Sequence, residues 1–138
     1  MDKALNLLSL ARKAGLAELG EEPVGAAARL LHAHLILVAR DASDHTWRRA
    51  KSYAAGTDQA CIRVNYTKDA LGMAIGRQEL AIAAIVDAGM ALSFVESLGQ
   101  PEKHSDICAV LAEKKRKAAQ RQKEAKAHKK NARFGKKK

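Results

Sequence analysis

The sequence predicts a three-layer α/β/α sandwich around a central four-stranded mixed sheet, followed by a basic C-terminal tail. Two observations carry the prediction. The runs His34–Ala39 (HLILVA) and Ala81–Val86 (AIAAIV) are continuously apolar over strand length, the pattern of strands buried on both faces. The stretches between the extended segments repeat their apolar residues at helical spacing, and strands separated by helices imply a sheet covered on each side. The expected order is α-β-α-β-α-β-α-β-α.

The elements follow in turn. Leu5, Leu8 and Ala11, flanked by Leu7 and Leu10, make a first helix with Arg12 and Lys13 in its last turn and Gly15 as its stop. A short extended piece, Leu16–Leu19, comes next. Gly20, Glu21, Glu22 and Pro23 open a second helix, the acids facing the positive end of its dipole, and it runs to about Leu31. After the buried strand at His34–Ala39, Ser43 caps a third helix; Trp47, Ala50 and Ala54 recur on its inner face and Arg48, Arg49 and Lys51 face out. Cys61–Val64 is a short strand. Thr67 caps a fourth helix carrying Leu71 and Ile75, which Gly76 ends. Ala81–Val86 is the last strand and Ala88–Leu98 the closing helix.

Charge divides the chain in the same place. Residues 113–138 hold 13 of the 25 lysines and arginines against two acids, Glu113 and Glu124, while residues 1–112 hold 12 basic and 13 acidic residues. The body is therefore almost neutral and the appendage supplies the field, which points to a polyanionic partner. Residues 1–100 suffice for one domain with a single core; residues 101–138 form the basic tail, a solvated helix or a disordered arm. Past Leu111 the tail has almost no large apolar side chain beyond Phe134, so it is not a membrane-binding amphipathic helix. The longest apolar run, Leu80–Val86, is far too short to span a bilayer. The N-terminal MDKALNLLSLARKAG lacks the features of a secretory signal, so the cytoplasm is the expected compartment and a monomer the expected state. Cys61 and Cys108, far apart and without ligands at metal spacing, read as reduced thiols.

Three segments carry a resemblance: LLSLARKAGLAELGEEPV, LILVARDAS and LGMAIGRQELAIAAIVDAGMA, with the paired signals Ala39-x-Asp41 and Leu71-Gly72-x-x-x-Gly76. Over residues 3–98 the chain resembles the bacterial branch of the kink-turn-binding ribosomal protein superfamily, that of large-subunit ribosomal proteins seven-Ae and thirty-e. The resemblance implies an α/β/α sandwich that binds RNA at a kink-turn, in ribosomal or other structured RNA, without catalysis or cofactor. It also implies an RNA surface made from the start of the second helix and the loop before the last strand. The family's helix-start pattern is Gly-x-Asn-Glu-x-x-Lys. Gly20 matches the glycine, whereas Glu22, Pro23 and Ala26 stand at the Asn, Glu and Lys positions. Glu22 can still accept from a base edge; Pro23 and Ala26 remove polar contacts and Glu21 adds repulsion.

Candidate RNA contacts are thus Gly20, Glu21 and Glu22 at the helix start, and Leu80, Ala81 and Ile82 before the last strand, where apolar groups would lie against unstacked nucleotides. Leu80 equally suits the start of a buried strand, and Ile82 suits it better than it suits an RNA contact. Arg29 and Arg40 are candidate phosphate contacts, and Lys114, Lys115, Arg116 and Lys117 open the tail's own set. The tail would supply the affinity that Ala26 and Glu21 withhold.

Enzymatic signatures are missing. His32 and His34 have no third ligand at a characteristic spacing, so no metal site is expected. Gly72 and Gly76 lack the Lys-Ser or Lys-Thr of a phosphate loop, and Asp41 and Asp44 read as a turn residue and a first-turn helix charge. The competing reading is an adaptor on the translation or transcription machinery, docking through an exposed apolar patch near Leu80 while a nonspecific tail tethers it to nucleic acid.

Overall fold

The computed structural model describes residues 2–135, with side chains through Ala127. Four strands, β1 (Ala17–Leu19), β2 (Leu35–Val38), β3 (Ala60–Arg63) and β4 (Ile82–Ile85), form one mixed sheet in the order β1-β4-β2-β3. β4 pairs antiparallel with both β1 and β2, and β2 pairs parallel with β3. The parallel pair needs a crossover, and α3 (Asp44–Ala54) supplies it. Every residue of β2 and β4 is buried, as their unbroken apolar runs require; the edge strands β1 and β3 are mostly half-buried.

Helices cover both faces. α2 (Glu21–Arg29) packs beside α3 on one side; α1 (Lys3–Lys13), α4 (Lys68–Ala74), α5 (Ala88–Ser97) and α6 (Pro101–Gly135) form the other layer. Their starts follow the local chemistry read from the sequence. The hydroxyls of Ser43 and Thr67 accept from the backbone N–H groups of Thr46 and Ala70, each at 3.1 Å, and the Asp87 carboxylate accepts from Met90 at 2.8 Å. The core runs between the layers, with Leu8, Val24, Leu71, Phe94 and Val95 closing on the central strands.

The tail is helical as far as it is described. The sequence divides the chain at residue 100, yet α6 still contributes Leu111, fully buried, and the half-buried Ile107 and Cys108 to the packed body. His104 departs from helical geometry (φ −113°, ψ 15°), which turns α6 back along α5. From Lys115 to Ala127 every residue is exposed. The Phe134 side chain lies outside the described residues.

Candidate nucleic-acid interface

Strand register defines two ends of the sheet. Leu19, Val38, Arg63 and Ile82 lie at one, here the near end; Ala17, Leu35, Ala60 and Ile85 lie at the other, the far end. Backbone bonds knit the near end together. The Gly20 N–H donates to the Ile82 carbonyl (3.0 Å), Ala39 to Ala81 (2.8 Å) and Arg40 to Tyr66 (2.8 Å). One Asp41 oxygen accepts the Lys68 N–H at 2.8 Å, and the Lys68 carbonyl accepts from Leu80 at 2.9 Å. The start of α2, the loop after β2, the start of α4 and the segment before β4 therefore form one continuous surface. Asp41 is more than a turn residue: it ties the loop after β2 to α4.

Gly20 caps α2 at φ 97°, a conformation that side-chain-bearing residues rarely adopt. Glu21 does not point its charge freely outward. Its carboxylate bridges Arg49 at 3.3 Å and lies 3.4 Å from the Thr46 hydroxyl, which offsets the repulsion expected of it. Glu22 and Arg40 are exposed; an Arg40 guanidinium nitrogen donates to Asn65 Oδ1 at 3.1 Å.

The structure sorts the remaining candidates into three groups, and the first needs correction. Leu80 and Ile82 are core residues, exposed by only 3% and 1%, because Leu80 is held down onto α4 and Ile82 opens the central β4; of the trio only the half-buried Ala81 reaches the surface. Leu80 itself therefore contributes nothing to the apolar patch expected around it. An apolar stripe lies instead on α2, where exposed Pro23, Ala26 and Leu30, the last 66% exposed, border a groove with Glu18 and Val86. Second, Arg29 is exposed in the last turn of α2, at the opposite end of that helix from Gly20. Third, two tail cations are already engaged. Lys114 Nζ lies 3.2 Å from Asp58 Oδ1 and donates to the Asp58 carbonyl at 3.1 Å, its side chain only 15% exposed, and Arg116 forks onto Glu113 at 2.6 and 3.1 Å. Lys115 and Lys117 remain exposed.

Several residues escaped the sequence reading. Lys68, half-buried, opens α4 at the near end, signalled only by the Thr67 cap before it. Met73 on the same helix is 76% exposed. Trp47 carries two cations over its ring, Lys51 Nζ 5.4 Å and Arg63 Cζ 4.9 Å from the centroid. The Trp47–Lys51 spacing of one helical turn was visible, whereas Arg63 comes from another element.

Burial governs the shifted thiol, phenol and imidazole groups. Burial pushes the Cys61 thiol up to about 11 and raises Cys108 as well, so neither is poised as a thiolate. Burial, then the Asp2 hydrogen bond, holds Tyr66 at about 12. His34 is shifted down by burial, then by Lys114. Among the described residues no group of three or more His, Cys, Asp or Glu side chains is placed to hold a metal, and no helix is long and apolar enough to cross a membrane.

No family model and no curated protein matches the chain. Solved structures do. A protein of unknown function from Bacillus halodurans is 27% identical, with a TM-score of 0.67, over 72% of this chain and 99% of that one. The Giardia lamblia 15.5kD RNA binding protein is 19% identical, with a TM-score of 0.59, over 72% of this chain and 84% of its own. At that identity the second likeness is one of fold: this chain has the architecture on which an RNA-binding protein is built.

Proposed function

We propose that the protein is a non-catalytic RNA-binding protein that receives kinked, structured RNA, ribosomal or other, at the near end of its sheet. The observation that carries this reading is the bond from Gly20 to Ile82, which joins the start of α2 to the start of β4 in one surface. Gly20 lets a backbone approach, Glu22 offers an acceptor to base amino or imino groups, and Arg40 and Lys68 offer phosphate contacts. With Leu80 and Ile82 in the core, Ala81 and Met73 are the apolar groups left to meet unstacked nucleotides. The shared fold of the Giardia RNA-binding protein supports the same class of partner.

Affinity for a kinked RNA and for a straight duplex of equal length, measured across a salt series, tests the reading. The kinked RNA is expected to bind more tightly. Arg40→Gln should shallow the salt slope for that RNA by about 0.9, one phosphate contact. Equal binding of the two RNAs would remove the near end from consideration.

A second reading, a protein–protein adaptor with a nonspecific tail, is favoured by the apolar stripe of Pro23, Ala26 and Leu30. It predicts no preference between the two RNAs.

A further inference from the structure

The candidate cations are divided by the fold between opposite ends of the molecule. α6 begins at the near end, where Lys103 and His104 share a cleft with Arg63, Asn65 and Tyr66. It then runs back along α5 until the aliphatic stem of Lys115 passes Gly89 in the first turn of that helix. Lys114 is clamped there to Asp58, in the loop before β3. Lys117 and Arg121 line a cavity of about 540 Å³ with Leu31, His32 and His34, all in the loop between α2 and β2. Arg29 closes the neighbouring turn of α2.

Past the break at His104, from Ser105 to Lys115, the helix advances about 15 Å at 1.5 Å per residue. A Debye length is about 10 Å at 0.1 M salt, so the far-end charges are largely screened from an RNA seated on Gly20 and Arg40. Lys123 and Lys126 lie further out still, and both are exposed. Neither they nor Lys117 and Arg121 have an ion pair among the described residues. At 100° per residue, Lys115, Lys126 and Lys123 fall on one side of the helix and Lys117 and Arg121 on the other, and the sectors between them hold only Ala, Gln, Glu124 and the paired Arg116, so the described part of the projecting helix has no large apolar face for a membrane.

We infer that the protein holds two RNA segments at once, one on the near end of the sheet and a second on the cationic helix that projects from the far end, and so brings them together. The near-end half rests on the proposed function; the far-end half rests on the position of α6. The second segment is recognised through its phosphates, because the projecting helix has no aromatic or large apolar side chain among its described residues to stack on a base.

Co-capture by the full-length protein tests this. A kinked RNA is immobilised, limiting protein is bound to it at about 0.1 M salt, and a fluorescent straight duplex is added. The duplex is expected to be retained, and mass photometry of the released complex to read one protein with two RNAs. The variant R121Q/K123Q/K126Q changes only exposed side chains. It should stay on the kinked RNA while the salt slope of duplex retention falls by about 2.7, three contacts at about 0.9 each.

Displacement of the kinked RNA by the duplex, two proteins per complex, or unchanged duplex retention by the variant would each overturn the inference. Failure of the near-end reading looks different: the kinked RNA would hold no advantage over a duplex, while two straight duplexes would still be joined through one protein. A protein that retains no second RNA under either arrangement excludes bridging.

Discussion

At the scale of single residues, the near end depends on a glycine the sequence explained only in part. Gly72, half of the Leu71-Gly72 signal in the sequence, is buried in α4, and the structure shows what packs against it. A Cβ at this position would sit 2.6 Å from the Glu79 Cα, 2.7 Å from its nitrogen and 2.9 Å from the Arg77 carbonyl oxygen. These are backbone atoms, with no side chain free to swing away, so Gly72→Ala must push the 77–79 segment off the helix. Overpacking of this kind costs about 1–3 kcal/mol. The denaturation midpoint should fall accordingly without a change in m-value. Because Leu80 hangs from the Lys68 carbonyl just beyond that segment, the preference for kinked RNA should weaken too. An alanine variant as stable as the parent would mean that the loop has room the packing does not show.

The elements differ in how far the sequence disclosed them, and the reason is the range of the interactions that fix them. β2 and β4 were legible because their burial on both faces writes itself as an unbroken apolar run, and α3 and α4 because Ser43 and Thr67 cap locally. The geometry of the proposed site was legible only where it depended on local backbone, as in the positive φ of Gly20. That Glu21 is neutralised by Arg49, that Leu80 is pinned to α4, and that Arg29 falls at the far end all depend on contacts between distant elements, which periodicity does not encode. α6 was the least legible. Its first turns mix exposed and buried residues around the irregular His104, and their one fully buried apolar side chain, Leu111, stands just before the charge run. Leu111 therefore fixes where the cationic helix leaves the body. Leu111→Ala should cost about 2–5 kcal/mol, the range for a buried leucine truncated to a cavity. If α6 unfolds together with the sheet, the whole denaturation transition moves by that amount; a separate early transition confined to helix signal would show that α6 docks as an independent unit.

Across the whole molecule, a nearly neutral body and a segment carrying 13 cations could act together or apart, and geometry favours apart. If the tail simply raised the potential around the near end, removing it would weaken every RNA and erode the discrimination between them. Instead the tail's base lies at the far end, beyond the reach of unscreened charge, so discrimination and salt-dependent affinity should separate. A chain ending at Arg121 offers a clean comparison. It keeps Leu111, the Lys114–Asp58 bridge and the last side chain lining the far-end cavity, yet loses eight of the 25 cations. If about half of those eight meet phosphate, the slope of log affinity against log salt for a long RNA should shallow by about 3.6, at about 0.9 per contact. The ratio of affinities for kinked and straight RNA should stay where it was, since the proposed function puts recognition at Gly20, Glu22, Arg40 and Ala81. Loss of the ratio together with the slope would place recognition in the tail, leaving the sandwich as its carrier and the apolar stripe on α2 as the surface whose partner has to be sought.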